Sequence, residues 1–234
     1  MIKYELTNEC IQTFNRKLSR IRALKDFDDI KMGELGGYIE NEDNLSHDGN
    51  AWVYDNARVY GDARVCDDAR VCGNARVYGD ARVCGNARVC DDAWVYDNAR
   101  VYGDARVCDD AWVYDNARVY GDARVCDDAR VCGNARVCGN ARVCGNARVC
   151  DDAWVCGNAL VCGDADYICL KGFGSEYRHT TIFRAAGDIV QVSCGCFSGT
   201  LAEFEKQVKE THGNSKYAQE YLMCVELAKL HFGC

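Results

Sequence analysis

Asn50-Ala-Trp-Val-Tyr-Asp55, Asn56-Ala-Arg-Val-Tyr-Gly61 and Asp62-Ala-Arg-Val-Cys-Asp67 are three successive copies of one six-residue unit. The unit runs without insertion to Gly163, filling residues 50–163 with 19 hexads. Each reads Asn/Asp, Ala, Arg, Val, Tyr/Cys, Gly/Asp. Self-similarity at a short fixed period marks a solenoid. Side chains along a strand alternate between faces. Taking the hexad as four strand residues and a two-residue corner puts Ala and Val on one face, Arg and Tyr/Cys on the other. The corner pair, Gly/Asp then Asn/Asp, tolerates left-handed backbone angles and makes local side-chain hydrogen bonds. An interior of Ala and Val alone must be narrow. Three hexads per turn, a triangular prism, provide it. Stacked coils about 4.8 Å apart make a little over six turns and a prism roughly 30 Å tall. Each coil buries its face only against its neighbours, so the two ends require caps.

The spacing of Val53 to Ala57 and Val59 to Ala63, repeated along the array, resembles the left-handed parallel β-helix of hexapeptide-repeat proteins. There an aliphatic residue and, four positions on, a small residue both point inward. The handedness is implied by that resemblance. Leu18 to Phe27, Gly36-Gly-Tyr-Ile-Glu40 and Asn44-Leu-Ser-His47, leading into the hexads, resemble a group of bacterial and prophage proteins with Asn/Asp-Ala-Arg-Val-Tyr-Gly arrays. That resemblance implies a bacterial or phage origin and no established biochemical role.

The chain of 234 residues carries a formal charge of -8, which argues against a nucleic-acid footprint. It has no apolar run of membrane-spanning length, so no membrane is expected. The start, Met1 to Asn15, lacks the apolar core of a secretory signal, and a cytoplasmic location in a bacterial host cell is expected. Of 18 cysteines, twelve occupy the fifth hexad position. Their number follows the copying of the repeat, and mostly free thiols are expected.

Three regions follow: an N-terminal cap (1–49), the hexapeptide β-helix (50–163) and a C-terminal unit (164–234). In the cap, Leu18–Leu24 and the segment around Gly36–Ile39 read as short strands. In the C-terminal unit, His179–Ala185 and Ile189–Phe197 read as a hairpin. Thr200 and Glu203 form a capping box for one helix, and Ser215 caps another. The expected fold class is an all-β solenoid with a β-rich N-terminal cap and a small α+β (ββαα) C-terminal domain.

Enzymes on hexapeptide folds resemble one another in using a histidine base and a loop projecting from a coil. The array has neither, since His47, His179, His212 and His231 all lie outside it. A general base must reach the proton that it takes, so no catalytic residue is expected in the array. Residues 18 apart stack. One outer face then carries Arg58, Arg76, Trp94, Trp112, Arg130 and Arg148 beside Tyr78, Tyr96 and Tyr114. This is the composition of a partner-binding surface. Against it, the array holds 14 Arg and 17 Asp, so each arginine has corner carboxylates nearby and much of its charge is expected to be locally paired. Cys194 and Cys196, with His212, are a weak alternative metal site. Buried cysteine is the plainer reading, and no metal or other cofactor is expected. Tyr217, Tyr221, Val225 and Ala228 share one face of the second helix and are expected to drive assembly into a dimer or trimer.

The expected function is non-catalytic binding or scaffolding toward a protein partner, inhibition of a host defence protein being one setting. The alternatives are a hexapeptide-type transferase or metal-dependent enzyme with its chemistry in the C-terminal unit, and a nucleotide or nucleic-acid binder using the Arg/Tyr/Trp ladders.

Overall fold

In the computed structural model, which describes residues 2–234, every hexad supplies one two-residue strand. The nineteen strands run from β4 (Trp52–Val53) to β22 (Leu160–Val161). Each pairs in parallel with the strand 18 residues on, as in Arg88↔Arg106 and Val89↔Val107. The regular strand is shorter than the four residues expected, because the corner takes up more of each hexad. The sidedness of the third and fourth residues is as read. Every Ala and Val of the array is at most 1% exposed. From Asp55 to Gly157 each sixth residue has φ between 52° and 72°. Glycine meets that conformation without strain. Asp meets it by sending its carboxylate along the stack: Asp55 accepts from the Gly73 amide at 3.1 Å, Asp67 from Gly85 at 2.9 Å and Asp127 from Gly145 at 2.9 Å.

The prism is taller than the hexads alone make it. Before it stand β1 (Tyr4–Thr13), β2 (Arg16–Ala23) and β3 (Leu35–Ile39). Strands β1 and β2 form an antiparallel hairpin, and β3 pairs with β2 on one side and in parallel with β5 (Arg58–Val59) on the other. Ile39 stacks on Val59 and Leu45 on Val65, both fully buried. That first coil is 20 residues long instead of 18, which takes it out of the repeat. With it, all three faces have seven parallel rungs, the third completed by the Leu45–Val65 bridge. Gly36 and Gly37 let β3 lie on the coil below, since a Cβ on either would sit 2.5–2.6 Å from the carbonyl oxygen of Val53 or Ala57.

Two polar side chains close the upper end. Asn44, fully buried, donates to the carbonyls of Gly61 and Ala63, each at 2.9 Å, and accepts from the amides of Glu40 and Asn41. Lys3, also fully buried, donates through Nζ to the Ala51 carbonyl at 2.8 Å. Burial, aided by nearby Lys25, lowers its pKa to about 8. An unfolded lysine keeps its proton to about pH 10.4. Between these values the unfolded chain binds more protons, so folding gains stability as pH rises. Relative to Lys3→Met, the parent should gain roughly 1 kcal/mol per pH unit from pH 8 to 10. Denaturant titrations of both chains across that range test it; a constant difference would mean that Lys3 is not desolvated.

At the lower end, β23 (Tyr167–Phe173), β24 (Arg178–Ala185), β25 (Ile189–Cys194) and β26 (Phe197–Thr200) form an antiparallel sheet in sequence order. This sheet has two more strands than the hairpin read from the sequence. One face seals the last coil: Phe183 joins the prism's core, and the Trp154 amide donates to Thr181 Oγ1 at 2.9 Å. The other face carries α1 (Leu201–His212) and α2 (Lys216–Phe232). Thr200 and Glu203 form the reciprocal capping box, and Ser215 caps α2. No helix is long and apolar enough to cross a membrane.

Candidate functional site: an aromatic and arginine face

The parallel register brings the aromatic and basic candidates together on one face of the prism. Arg58, Arg76, Trp94, Trp112, Arg130 and Arg148 are vertical neighbours there. Beside them runs a second column, in which the rings of Tyr60, Tyr78, Tyr96 and Tyr114 stack at 5.0 Å with planes within 3°. Trp94 and Trp112 stack at 5.1 Å, and each meets a tyrosine edge-on. The guanidinium of Arg76 lies 4.6 Å from the Trp94 ring, and that of Arg130 lies 4.9 Å from Trp112. A cation over each outer indole face holds the pair as a four-layer sandwich. Burial first, then the neighbouring Tyr60 phenol, pushes Tyr78 up to about 12. The phenol stays neutral.

The ends of this face are occupied. Tyr60 packs under Leu18 and Tyr38, and Arg58 donates to Thr13 Oγ1 at 3.0 Å. At the lower end the Arg148 amide donates to Asp164 and its carbonyl accepts from Tyr167. The open part is the middle, from Arg76 to Arg130.

One expectation is overturned here. Among the described residues, Arg70 is the only array arginine with a carboxylate within 4.0 Å, and its partners are Asp28 and Asp29 of the cap. Six corner aspartates, Asp55, Asp67, Asp91, Asp109, Asp115 and Asp127, instead send their carboxylates along the prism axis to accept an amide of the next coil. Among the described residues, the other array arginines thus make no direct ion pair, although the array as a whole is slightly acidic.

The C-terminal candidates separate. Cys194, Cys196 and His212 line one cavity of about 490 Å³ with Arg178, Phe197, Phe204 and Tyr221. They do not form a cluster of donors. Cys194 ends β25 and accepts a hydrogen bond from Thr180 at 3.2 Å, whereas Cys196 follows the left-handed Gly195 and is exposed. Among the described residues, the donor triads within 4.8 Å lie at array corners, such as Asp91, Cys108 and Asp109. Burial first, then the Asp109 carboxylate, pushes the Cys108 thiol up to about 12.

The helix face expected to drive assembly is covered within the chain, which corrects that reading. Tyr221, Val225 and Ala228 pack against Ile182, Val192 and Phe204, and of the four only Tyr217 is exposed. The sheet that buries them was only half visible in the sequence. The apolar side chains left in solvent on α2 are Met223, Leu227 and Leu230.

Comparison with known proteins agrees with this architecture. The YdcK beta solenoid repeat matches nine segments between residues 51 and 157. A 41-residue stretch is 44% identical to the uncharacterized acetyltransferase YdcK of Escherichia coli strain K12, covering 18% of this chain and 13% of that protein. The aromatic and arginine face is thus carried by a β-solenoid whose residues 51–157 are similar to the YdcK beta solenoid repeat.

Proposed function

We propose that this chain is a non-catalytic binding or scaffolding protein, whose rigid prism engages a protein partner through the middle of the aromatic and arginine face. The observation that carries this reading is the sandwich Arg76–Trp94–Trp112–Arg130 beside the stacked tyrosines, with no carboxylate pairing its guanidinium groups. Tryptophan, tyrosine and arginine are the residues that concentrate binding energy at protein interfaces. Their side chains are held here by vertical stacking, so little freedom is left to lose on binding. The complementary partner surface offers carboxylates to the arginines and apolar or planar groups to the indoles. A bacterial host protein, including one that acts in defence, is the setting suggested by the resemblance to prophage proteins.

The name of the E. coli relative raises acyl transfer as a second reading. It is not adopted, because the array contains no histidine and no inserted loop. The binding reading is tested by affinity capture from a bacterial lysate, comparing the parent with two charge-and-ring variants. Arg76→Glu with Trp94→Ala and Trp112→Ala alters the proposed face. Arg82→Glu with Arg100→Glu and Arg118→Glu alters the face built by β6 (Arg64–Val65) and the strands stacked below it. The parent and the second variant should retain the same partner, and the first should lose it by a factor of about 100 or more in affinity. Equal retention by all three removes the face from the function.

A further inference from the structure

The coil length stacks the twelve array cysteines vertically, in runs of even length. One face carries six in a row: Cys72, Cys90, Cys108, Cys126, Cys144 and Cys162. A second has Cys66 over Cys84 and Cys138 over Cys156, with Tyr102 and Tyr120 between the two pairs. The aromatic face has Cys132 over Cys150. No array cysteine lacks a vertical thiol neighbour, and the twelve divide into six pairs with none left over.

We propose that the array is a site of thiol oxidation, in which exchange with a small-molecule disulfide converts six vertical thiol pairs into coil-to-coil disulfides between residues 18 apart. Repeat copying explains why cysteine recurs at one position. It does not explain why each run is even. The bond between Cys144 and Cys162 also selects one phase along the column of six. The Cα atoms of these two residues are 4.5 Å apart. In that phase Cys72 pairs with Cys90 and Cys108 with Cys126. The opposite phase would strand Cys72 and Cys162. The thiols of Cys66 and Cys84 lie within 4.8 Å of each other. Every pair has the same in-register parallel stacking as the bonded one, and such a Cα separation lies in the range that a disulfide spans.

Contact between two thiols also supplies the nucleophile. The neighbouring Cys66 thiol brings the pKa of Cys84 down to about 7, and Cys156 brings that of Cys138 down to about 6. The thiolate is the attacking species. The Cys84 thiolate attacks one sulfur of glutathione disulfide, breaking its S–S bond and releasing one glutathione thiolate. That thiolate takes the Cys66 proton. Cys66 then attacks the Cys84 sulfur of the mixed disulfide and releases the second glutathione. Two protein thiols and one small disulfide become one protein disulfide and two small thiols. Cys66, Cys84, Cys72 and Cys90 are half-buried, whereas Cys138 and Cys156 are buried, so the first four react sooner.

The full chain, reduced and desalted, is incubated with glutathione disulfide. It is then quenched in acid, denatured, alkylated and weighed intact, beside a non-reducing gel. Alkylatable thiols should disappear in twos, with glutathione retained only on cysteines outside the array, of which Cys196 and Cys234 are exposed. Cys84→Ser should form one bond fewer than the parent and retain one more glutathione, on the orphaned Cys66. The double variant Cys66→Ser with Cys84→Ser should form the same number of bonds as the single variant without that extra glutathione. Circular dichroism confirms that the variants keep the solenoid. The proposal is overturned by unchanged alkylation, by glutathione accumulating on the array of the parent, or by bonds that join separate chains.

Discussion

Val107→Asp should unfold the middle of the prism, whereas Arg106→Asp beside it should leave the melting temperature nearly unchanged. Val107 is fully buried and stacked between Val89 and Val125. A carboxylate there has only methyl groups of Ala and Val around it. Burying an unpaired charge is among the largest single-site penalties, roughly 4 kcal/mol or more. The inward faces of neighbouring coils stack directly, so the damage spreads above and below. Arg106 is exposed and lacks a carboxylate within 4.0 Å, so its replacement should cost about 0.5 kcal/mol or less. Thermal unfolding followed by circular dichroism compares the two. Equal losses of melting temperature would refute the inside and outside assignment.

Asn44→Ala should loosen the upper end by roughly 3–5 kcal/mol while leaving the lower coils folded. The side chain bonds four backbone groups, among them the Gly61 and Ala63 carbonyls of the coil beneath. Removing it strands those groups in a buried place, and each unsatisfied group costs about 1–3 kcal/mol. Stability in a solenoid is a sum of nearest-neighbour terms, so the loss stays local. Hydrogen exchange should show fast amides in residues 36–65 and unchanged protection around Val107. Uniform deprotection along the array would mean that the prism unfolds as one unit and that Asn44 holds no separate end.

The two substitutions differ in how far they are visible in the sequence. Val107 is legible because its environment repeats. The same six residues recur nineteen times, so one assignment of sides serves for all, and the buried Ala and Val follow from alternation in a strand. The capping box at Thr200 and the cap at Ser215 are legible because their partners are three residues away. Asn44 is not legible, since it pairs with carbonyls 17 and 19 residues on, in a coil out of step with the hexads. The aromatic candidates are legible as a column because residues 18 apart stack. That Arg58 and Tyr60 are covered depends on a hairpin folded back from the other end of the sheet.

The sequence by itself determined the prism: its three-sided cross-section, its Ala and Val interior, its Gly/Asp corners, and the face on which arginine, tryptophan and tyrosine meet. Each depends on a short period or on neighbours in sequence, where steric and alternation rules act. Only the tertiary structure decided the first coil, the burial of Tyr221, Val225 and Ala228, and the charge state of the faces. The corner carboxylates were expected to neutralise the arginines. Stacking turned six of them along the prism axis toward the next coil's amides, and among the described residues no array arginine but Arg70 has a carboxylate within 4.0 Å. The direction of a side chain between two layers is set by what the adjacent layer offers it, and that layer exists only once the chain has wound.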